Sequence, residues 1–172
     1  MRVSDTINVS SDYKPQAAQK YVNIGFLIIE IMATLHISTN KADLDVPLIH
    51  QFISEQSTWA IGMPLPVLER AIDNSLCFGA YLDGRQIGFA RVVTDCATFA
   101  NLLDVFVLPE FRGRGYSKQL MEAVLGHPDL QGLRRFTLAT GDAHGLYEKF
   151  GFTPPSRPAT LMERYFPNIY SN

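Results

Sequence analysis

The sequence predicts a single domain of the α/β or α+β class, built around one sheet, and three observations support this. The chain has 172 residues, about the length of one domain. Hydrophobic residues make up 47% of it and charged residues 19%, which is typical of a folded domain rather than a disordered chain. Stretches with strand character and stretches with helical spacing alternate in the rough order β-α-α-β-β-β-α-β-α-β.

The first half of the chain is expected to form one or two strands, two helices and a hairpin. Residues 21–37 are apolar and β-branched, as strands are. In residues 43–57 apolar side chains recur near helical spacing, with Asp43 or Asp45 near the helix start. Proline is tolerated in the first turn of a helix, and Asp-Gly favours the tight turn of a hairpin. The next elements are a helix opened by Pro64 and Pro66 and ended by Asn74, and hairpin strands at residues 76–82 and 86–93 around Asp83 and Gly84.

The second half is expected to alternate strands with helices. Proline and glycine mark the ends of these elements, because proline cannot continue a strand ladder and glycine favours the C-terminus of a helix. The expected elements are a strand at 99–108 before Pro109, a helix at 117–125 before Gly126, a short strand at 136–139, a helix at 143–150 capped by Gly151, and an edge strand at 161–166.

The N-terminal residues differ in character from the rest of the chain. Residues 1–20 are polar, lack a hydrophobic period, and are expected to form a mobile tail. Met32 is a candidate start for the folded unit, since the chain from there on is still long enough for one domain. We therefore divide the chain into an N-terminal extension, residues 1–31, and a domain, residues 32–172.

Composition and charge argue against several classes of protein. The formal net charge is −2 and the pI is about 6.1, whereas nucleic-acid binding needs a basic face. The most apolar stretch, residues 24–35, is broken by Glu30 and is shorter than the roughly 20 apolar residues of a membrane span. The four histidines lack metal-ligand spacing, so no metal site is expected.

Cysteine use indicates the compartment. Two cysteines, Cys77 and Cys96, are too few for a disulfide framework. We therefore expect a reduced, cytoplasmic protein in which both cysteines are small buried apolar residues.

The segment most informative about function runs from Asp104 to Gln119. An apolar strand ends there at Pro109, and the sequence Arg-Gly-Arg-Gly at residues 112–115 opens a helix. Glycines let the backbone turn tightly and approach a ligand closely, while the N–H groups and the dipole at a helix N-terminus favour an anion. The spacing is neither that of a Walker loop nor that of a dinucleotide-binding loop, and it predicts a cradle for a pyrophosphate.

This segment and one further motif resemble the GNAT superfamily of acyl-CoA N-acetyltransferases. That superfamily ends a strand with Val-x-Pro, as at residues 107–109. It continues with Arg/Gln-x-x-Gly-x-Gly/Ala into a helix, as at residues 112–117, where Ser117 stands in place of the final Gly or Ala. The sequence Leu-Tyr-Glu-Lys-Phe-Gly-Phe at residues 146–152 looks like the family's L-Y-x-x-x-G-F. The resemblance covers about residues 33–166.

The resemblance implies a fold, a reaction and a set of site residues. The fold is a mixed, mostly antiparallel central sheet flanked by helices, and the reaction transfers an acetyl group from acetyl-CoA to an amine. The amides of residues 112–117 would bind the pyrophosphate, residues 105–107 would pair with the pantetheine arm, and an N–H near Val107 would polarise the thioester carbonyl. Tyr147 matches the tyrosine that often protonates the departing thiolate, or alternatively is a core tyrosine. The implied cofactor-binding residues are Val105, Phe106, Val107, Arg112, Gly113, Arg114, Gly115, Tyr116 and Ser117.

Asp104 is the candidate acceptor of the amine's proton. Alkyl amines are protonated at neutral pH, with a pKa near that of lysine at about 10.4, so direct attack requires a proton acceptor. A carboxylate in an apolar strand is costly to bury unless it is paired or functional. Asp104 could equally bind the substrate ammonium or pair with an arginine in a structural role. Glu55 is a weak alternative base, His144 is expected to be a partly exposed helix residue, and Trp59 and Tyr170 would line the substrate pocket or belong to the core.

Together these observations predict an N-acetyltransferase that moves an acetyl group from acetyl-CoA to a primary amine by direct attack, as a monomer or homodimer. The alternative is a non-catalytic acyl-CoA-binding regulatory module on the same fold, since fold does not determine function. An RNA-binding domain using the Arg-Gly-Arg-Gly segment is disfavoured by the net charge. No motif identifies the acceptor, so small metabolites, polyamines, antibiotics, peptide N-termini and protein lysines all remain open.

Overall fold

The structure, a computed structural model, describes residues 20–24, 27–31 and 34–170. Within these residues the backbone forms seven strands and four α-helices. In chain order they are β1 (Lys20–Ile24), β2 (Leu27–Ile31), β3 (His36–Ser38), α1 (Val46–Gln51), α2 (Leu65–Asp73), β4 (Leu76–Leu82), β5 (Arg85–Thr94), β6 (Phe99–Val107), α3 (Tyr116–Leu125), β7 (Arg135–Leu138) and α4 (His144–Tyr147).

Strands β1 and β2 form an antiparallel pair of their own. The chain divides into two compact units between Thr34 and Leu35, and this pair belongs to the first unit. The expectation of one or two strands in residues 21–37 was wrong in number, because β1, β2 and β3 all fall largely within that stretch. A continuous apolar run does not show where a strand ends and the next begins. The predicted tail lies outside the described residues except for Lys20, and the predicted domain boundary stays a prediction.

The second unit is built on a five-stranded sheet in the order β3-β4-β5-β6-β7. Neighbouring strands are antiparallel except for β6 and β7, which are parallel. The hairpin between β4 and β5 turns at Asp83 and Gly84, which both have positive φ. Strands β6 and β7 can run parallel because α3 forms the crossover connection between them, packed against β4, β5 and β6. The predicted fold class, a mixed and mostly antiparallel sheet flanked by helices, is confirmed.

Helices cover both faces of this sheet. On one face, called the α3 face, Leu120 and Met121 of α3 pack against Phe78. On the opposite face, called the α1/α2 face, Ile49 of α1 packs into a cluster that contains Phe89. Burying each of these large side chains stabilises the fold by about 1.5–3 kcal/mol. Because both faces are covered, β4 and β5 read as nearly continuous apolar runs.

The first predicted helix is shorter than expected and changes its winding. Helix α1 begins after Asp45, whose side chain accepts a hydrogen bond from the N–H of Leu48 at 3.0 Å. Asp43 lies instead in a separate 3₁₀ turn before it. After α1 the chain forms a π-helical turn at Phe52–Gln56, closed by the N–H of Ser57, which donates to the carbonyl of Phe52. Apolar spacing alone does not distinguish these tighter and wider turns from an α-helix.

Elsewhere in the second unit most predicted bounds agree with the structure to within one residue, but the C-terminal region differs. Helix α4 is a single turn that continues as a 3₁₀ turn over Glu148–Phe150, rather than one longer helix. The predicted edge strand at residues 161–166 is wrong, since the described chain forms no strand there. The prolines around this segment remove backbone donors and fix φ, which opposes strand pairing. Met162 and Tyr165 are accordingly exposed.

The two cysteines occupy different environments. Cys77 is buried on the α1/α2 face as expected, and burial raises the pKa of its thiol to about 11. Cys96 is exposed, contrary to expectation. It lies in the turn that joins β5 to β6, with a φ of 58°, and a turn at the rim of a sheet has no core to enter.

Candidate functional site

The sheet opens between β6 and β7. These strands pair only from Phe99 opposite Arg135 to Leu102 opposite Leu138, although β6 continues to Val107. Beyond Leu102 the outer edge of β6 therefore has no strand partner among the described residues. A cavity of about 920 Å³ lies along this edge. It is lined by β6, by the loop and first turn of α3, by residues 138–143, by α4, and by side chains between Phe52 and Trp59.

A β-bulge in β6 sets the direction in which its side chains point. The register against β5 shifts between Phe89 and Arg91, so that Asp104 and Val105 together lie opposite one residue of β5. Asp104 has a φ of 53°, a left-handed conformation that Asp adopts more readily than most residues. Strict alternation from Leu102, which is buried on the α3 face, would place the carboxylate in that apolar core. The bulge turns it to the α1/α2 face, beside Arg91.

The bulge also leaves backbone groups of β6 facing the cavity. The N–H of Leu108 donates to the carbonyl of Ile87 at 2.8 Å, so the backbone hydrogen-bonding groups of Leu108 face β5. Because the direction of the backbone N–H and C=O groups alternates along a strand, those of Val105 and Val107 face the open edge. The carbonyl of Val107 accepts a hydrogen bond from Nε of Arg112 at 2.9 Å. The N–H of Val107 accordingly faces the cavity and donates to no group that the structure describes.

The loop before α3 presents a row of amides. Gly113 and Gly115 have φ values of 76° and 82°, which glycine adopts without strain. No other heavy atom lies within 4 Å of where a Cβ would stand at either position, so both glycines border open space. The N–H groups from Gly113 to Lys118 donate to none of the described residues. Converging free amides at a helix N-terminus form a site for an anion.

The basic side chains of this loop contribute little to that site. Arg112 is directed back at the carbonyl of Val107, and the Arg114 guanidinium lies 5.9 Å from the centre of the Phe111 ring. Lys118 pairs with Glu122 at 3.5 Å on the exposed side of α3. An anion at this loop would therefore meet mainly main-chain amides, because the side-chain charges that the sequence places nearby have other partners.

Tyr147 lies in the cavity wall, and its hydroxyl has no hydrogen-bond partner among the described residues. The residue is 8% exposed and packs edge-on against Phe152, with ring centres 6.0 Å apart. Its hydroxyl makes no hydrogen bond to the described part of the chain. Burial, aided by the negative charge of Asp142, raises the pKa of Tyr147 above its ordinary value. The phenol consequently keeps its proton at neutral pH and can donate it.

The carboxylate of Asp104 is held on both of its oxygens. Nε and Nη2 of Arg91 each lie 2.8 Å from Oδ2, and Nε1 of Trp59 donates to Oδ1 at 3.1 Å. Nη1 of Arg91 donates in turn to the hydroxyl of Ser75 at 3.0 Å. The side chains of Arg91 and Asp104 are only 11% and 5% exposed. The pairing with an arginine that the sequence left open is therefore present, in a carboxylate that also lines the cavity.

Most of the predicted site residues come together at the cavity. Trp59 is half-exposed and lines the cavity, so it belongs to the pocket rather than to the core. Tyr170 instead packs against the core of the α1/α2 face. Glu55 and His144 are exposed and do not line it. The predicted residues that line it are Asp104, Val105, Phe106, Val107, Arg112, Gly113, Tyr116, Ser117 and Tyr147, while Arg114 and Gly115 lie in the loop without lining it.

The local sequence did not predict the roles of Arg91 and Ser75 beside Asp104. Arg91 interrupts an apolar hairpin strand just as Asp104 interrupts the next strand. Two opposite charges in adjacent, otherwise buried strands are the signal that could have identified the pair.

Neither a cluster of metal-ligating side chains nor a membrane-crossing helix occurs among the described residues. No group of three or more His, Cys, Asp or Glu side chains in this part of the chain lies close enough to hold a metal ion. No helix among the described residues is both long enough and apolar enough to cross a membrane.

The chain is similar to known acetyltransferases in sequence and in structure. Residues 73–154 match the family model of the acetyltransferase (GNAT) domain. A relative from Gibberella zeae named "putative acetyltransferase" is 33% identical over 136 residues, which are 66% of this chain and 75% of that protein. The crystal structure of a GNAT family protein from Xanthomonas campestris is 62% identical, with a TM-score of 0.80 over 82% of this chain and 99% of that one. Rv2747 from Mycobacterium tuberculosis, solved in complex with CoA, is 24% identical, with a TM-score of 0.55 over 69% and 71% of the two chains.

Proposed function

The chain belongs to the GNAT family of acetyltransferases, and on that premise we propose that it transfers an acetyl group from acetyl-CoA to a primary amine by direct attack. One observation carries the proposal: the cavity has free amides for an anion at one end and an unoccupied, protonated tyrosine in its wall. The open edge of β6 runs between them. Acyl transfer from a thioester with a phosphorylated carrier needs these three features together.

The free amides of the loop fit the pyrophosphate of CoA. We assign its binding to the main chain of residues 112–117, where side chains leave the space open. We assign the pantetheine arm to the open edge at Val105, Phe106 and Val107, where an extended chain can add to the strand by main-chain hydrogen bonds. The N–H of Val107 is then placed to stabilise the negative charge that develops on the thioester oxygen. That Rv2747, which has the same fold, was solved in complex with CoA supports CoA as the ligand.

Acyl transfer forms one bond, breaks another and moves two protons. The amine nitrogen bonds to the acetyl carbon, and the carbon–sulfur bond breaks with its electron pair on sulfur. Tyr147 gives a proton to that thiolate, whose acid has a pKa of about 8.5. The ammonium nitrogen gives up two protons: one goes to Asp104, directly or through water, unless Asp104 only holds the ammonium, and the other replaces the proton that Tyr147 gave to sulfur. Burial keeps the Tyr147 phenol protonated, as this role requires.

The proposal is tested by measuring release of the CoA thiol from acetyl-CoA in the presence of a panel of amines. We expect amine-dependent release and a product acetylated on nitrogen, identified by mass spectrometry. If the chain binds CoA in calorimetry but releases no thiol with any amine class, it is an acyl-CoA-binding module instead.

Replacing Asp104 separates a base from a structural carboxylate. Asp104→Asn keeps the shape and removes the charge, so turnover should fall about 10²-fold or more if the carboxylate takes the proton. The variant Asp104→Asn with Arg91→Gln removes both charges and controls for the arginine left unpaired in the single variant. If turnover falls equally in both variants while CoA affinity and folding are retained, Asp104 is supported as the base that accepts the proton. Wild-type turnover across pH in the double variant contradicts it.

A charge placed at the loop tests the cofactor assignment. Gly115→Glu and Gly115→Ala share the strain of a side chain at a φ of 82°, and only Glu adds a negative charge. Two like charges about 8 Å apart repel by about 2 kcal/mol at an effective dielectric constant of 20, so CoA affinity should fall at least about tenfold more for Glu than for Ala. Calorimetry with CoA measures the two affinities. Equal affinities of the Glu and Ala variants would contradict binding of the pyrophosphate at this loop.

Removing one oxygen tests the proton donor. Tyr147→Phe should lower kcat about 10–10³-fold with acetyl-CoA affinity nearly kept, because the proton is needed only in the transition state. The loss should shrink with acyl donors whose thiol has a lower pKa, since a better leaving group needs less protonation. The control is Tyr81→Phe, because the Tyr81 hydroxyl bonds to the carbonyl of Asp43 and lies outside the cavity lining. An unchanged kcat in Tyr147→Phe would show that Tyr147 is a structural core residue and not the proton donor.

A further inference from the structure

Trp59 is a half-exposed indole in a layer of buried aromatic rings. It is the only tryptophan of the chain and is 50% exposed, whereas the neighbouring Phe52 and Phe106 are 3% and 4% exposed. Phe52 stacks on Phe106 with ring centres 3.9 Å apart and meets Trp59 at 6.5 Å. All three residues line the cavity. The aromatic layer of the α1/α2 face thus ends in a ring that is open to the cavity.

A buried ion pair fixes this ring by one edge. The indole N–H donates to Oδ1 of Asp104, and Nε of Arg91 donates to Oδ2 of that carboxylate, with Nη2 of the same guanidinium 2.8 Å away. Because the carboxylate is almost fully buried and held from the other side, it is a rigid acceptor for the indole. Asp104 is in this respect a positioning residue for Trp59. The polar group of the indole is satisfied, so its face remains for a ligand.

The charges at this end of the cavity restrict what can bind there. The lining residues between Phe52 and Trp59 carry no charge, since the other two are Gln56 and Thr58. The charge of Asp104 is compensated by Arg91. The remaining charged lining residues are Arg112, which bonds to a carbonyl at the loop, and Asp142, near Tyr147. Among the described residues that line this end, a phosphorylated acceptor would meet no unpaired cation and a polyamine no row of free carboxylates.

We propose that Trp59 binds the acceptor and that the acceptor is a primary amine carrying an aromatic ring. The ring stacks on the open indole face, while the amine reaches the open edge of β6. Aromatic rings gain from such contact beyond the area they bury, and a rigid partner loses little freedom on binding. This inference rests on the proposed function for the amine, but the ring site itself is a binding property that can be measured without turnover.

The single tryptophan makes that binding directly observable. We expect titration of the full chain with 2-phenylethylamine, in the presence of CoA, to give a saturable change in tryptophan emission. Butylamine has the amine without the ring, spermidine has several amines, and glucosamine 6-phosphate has a phosphate. Each should bind at least about tenfold more weakly, in line with the loss of one buried aromatic contact. No saturable change with 2-phenylethylamine, or equal binding of butylamine, would overturn the aromatic site.

Substitution of Trp59 provides the kinetic test. Trp59→Leu should raise the KM for 2-phenylethylamine about tenfold or more, with the KM for acetyl-CoA unchanged, and Trp59→Phe should raise it less because a ring remains. Tyr165→Leu is the control, since Tyr165 is an exposed aromatic residue outside the cavity. An unchanged KM in Trp59→Leu contradicts the inference.

The two proposals fail in different ways. A saturable change in tryptophan emission without acetylation of any amine would contradict the proposed function and support the aromatic site. Acetylation of amines without rings, with no emission change for 2-phenylethylamine, keeps the proposed function and removes the aromatic site.

Discussion

The bulge at Asp104 and Val105 is the constraint on which the rest of the site depends. One additional residue in β6 reverses the faces of the side chains that follow it, so a carboxylate leaves the apolar α3 face and meets Arg91. Past the bulge β6 runs on to Val107 without β7 beside it. The open edge, the cavity and the ion pair all lie at this irregularity, where a regular sheet would have only paired backbone and buried side chains.

The electrostatic character of the cavity comes from the backbone more than from charged side chains. At the loop, free amides and the N-terminus of α3 supply positive potential, while Arg112 and Lys118 bond elsewhere. At the other end, Arg91 compensates Asp104. The cavity therefore joins an anion site to a nearly neutral aromatic surface. A chain with a net charge of −2 could in this way accommodate the highly anionic ligand proposed above.

Two aromatic residues with polar groups are used in opposite ways. The N–H of Trp59 is already bonded to Asp104, so the indole offers its face. The hydroxyl of Tyr147 has no hydrogen-bond partner among the described residues, so the ring is held by packing against Phe152 and the hydroxyl is available to a ligand. Whether the polar group of each ring is already bonded or faces the cavity thus decides what the ring presents there.

Local sequence alone determined the helices and strands that have clear end signals, such as the hairpin at Asp83 and Gly84 and the glycine loop before α3. Those features depend on residues within a few positions of each other, so their signals are present in the sequence itself. The π-helical turn after α1 and the missing strand at residues 161–166 were not predicted, because apolar spacing does not report winding or the presence of a partner strand. Only the tertiary structure brought Trp59 and Arg91 to Asp104, across 45 and 13 residues of chain. Their pairing depends on strand register and on the bulge, which follow from how distant strands pack rather than from any local pattern.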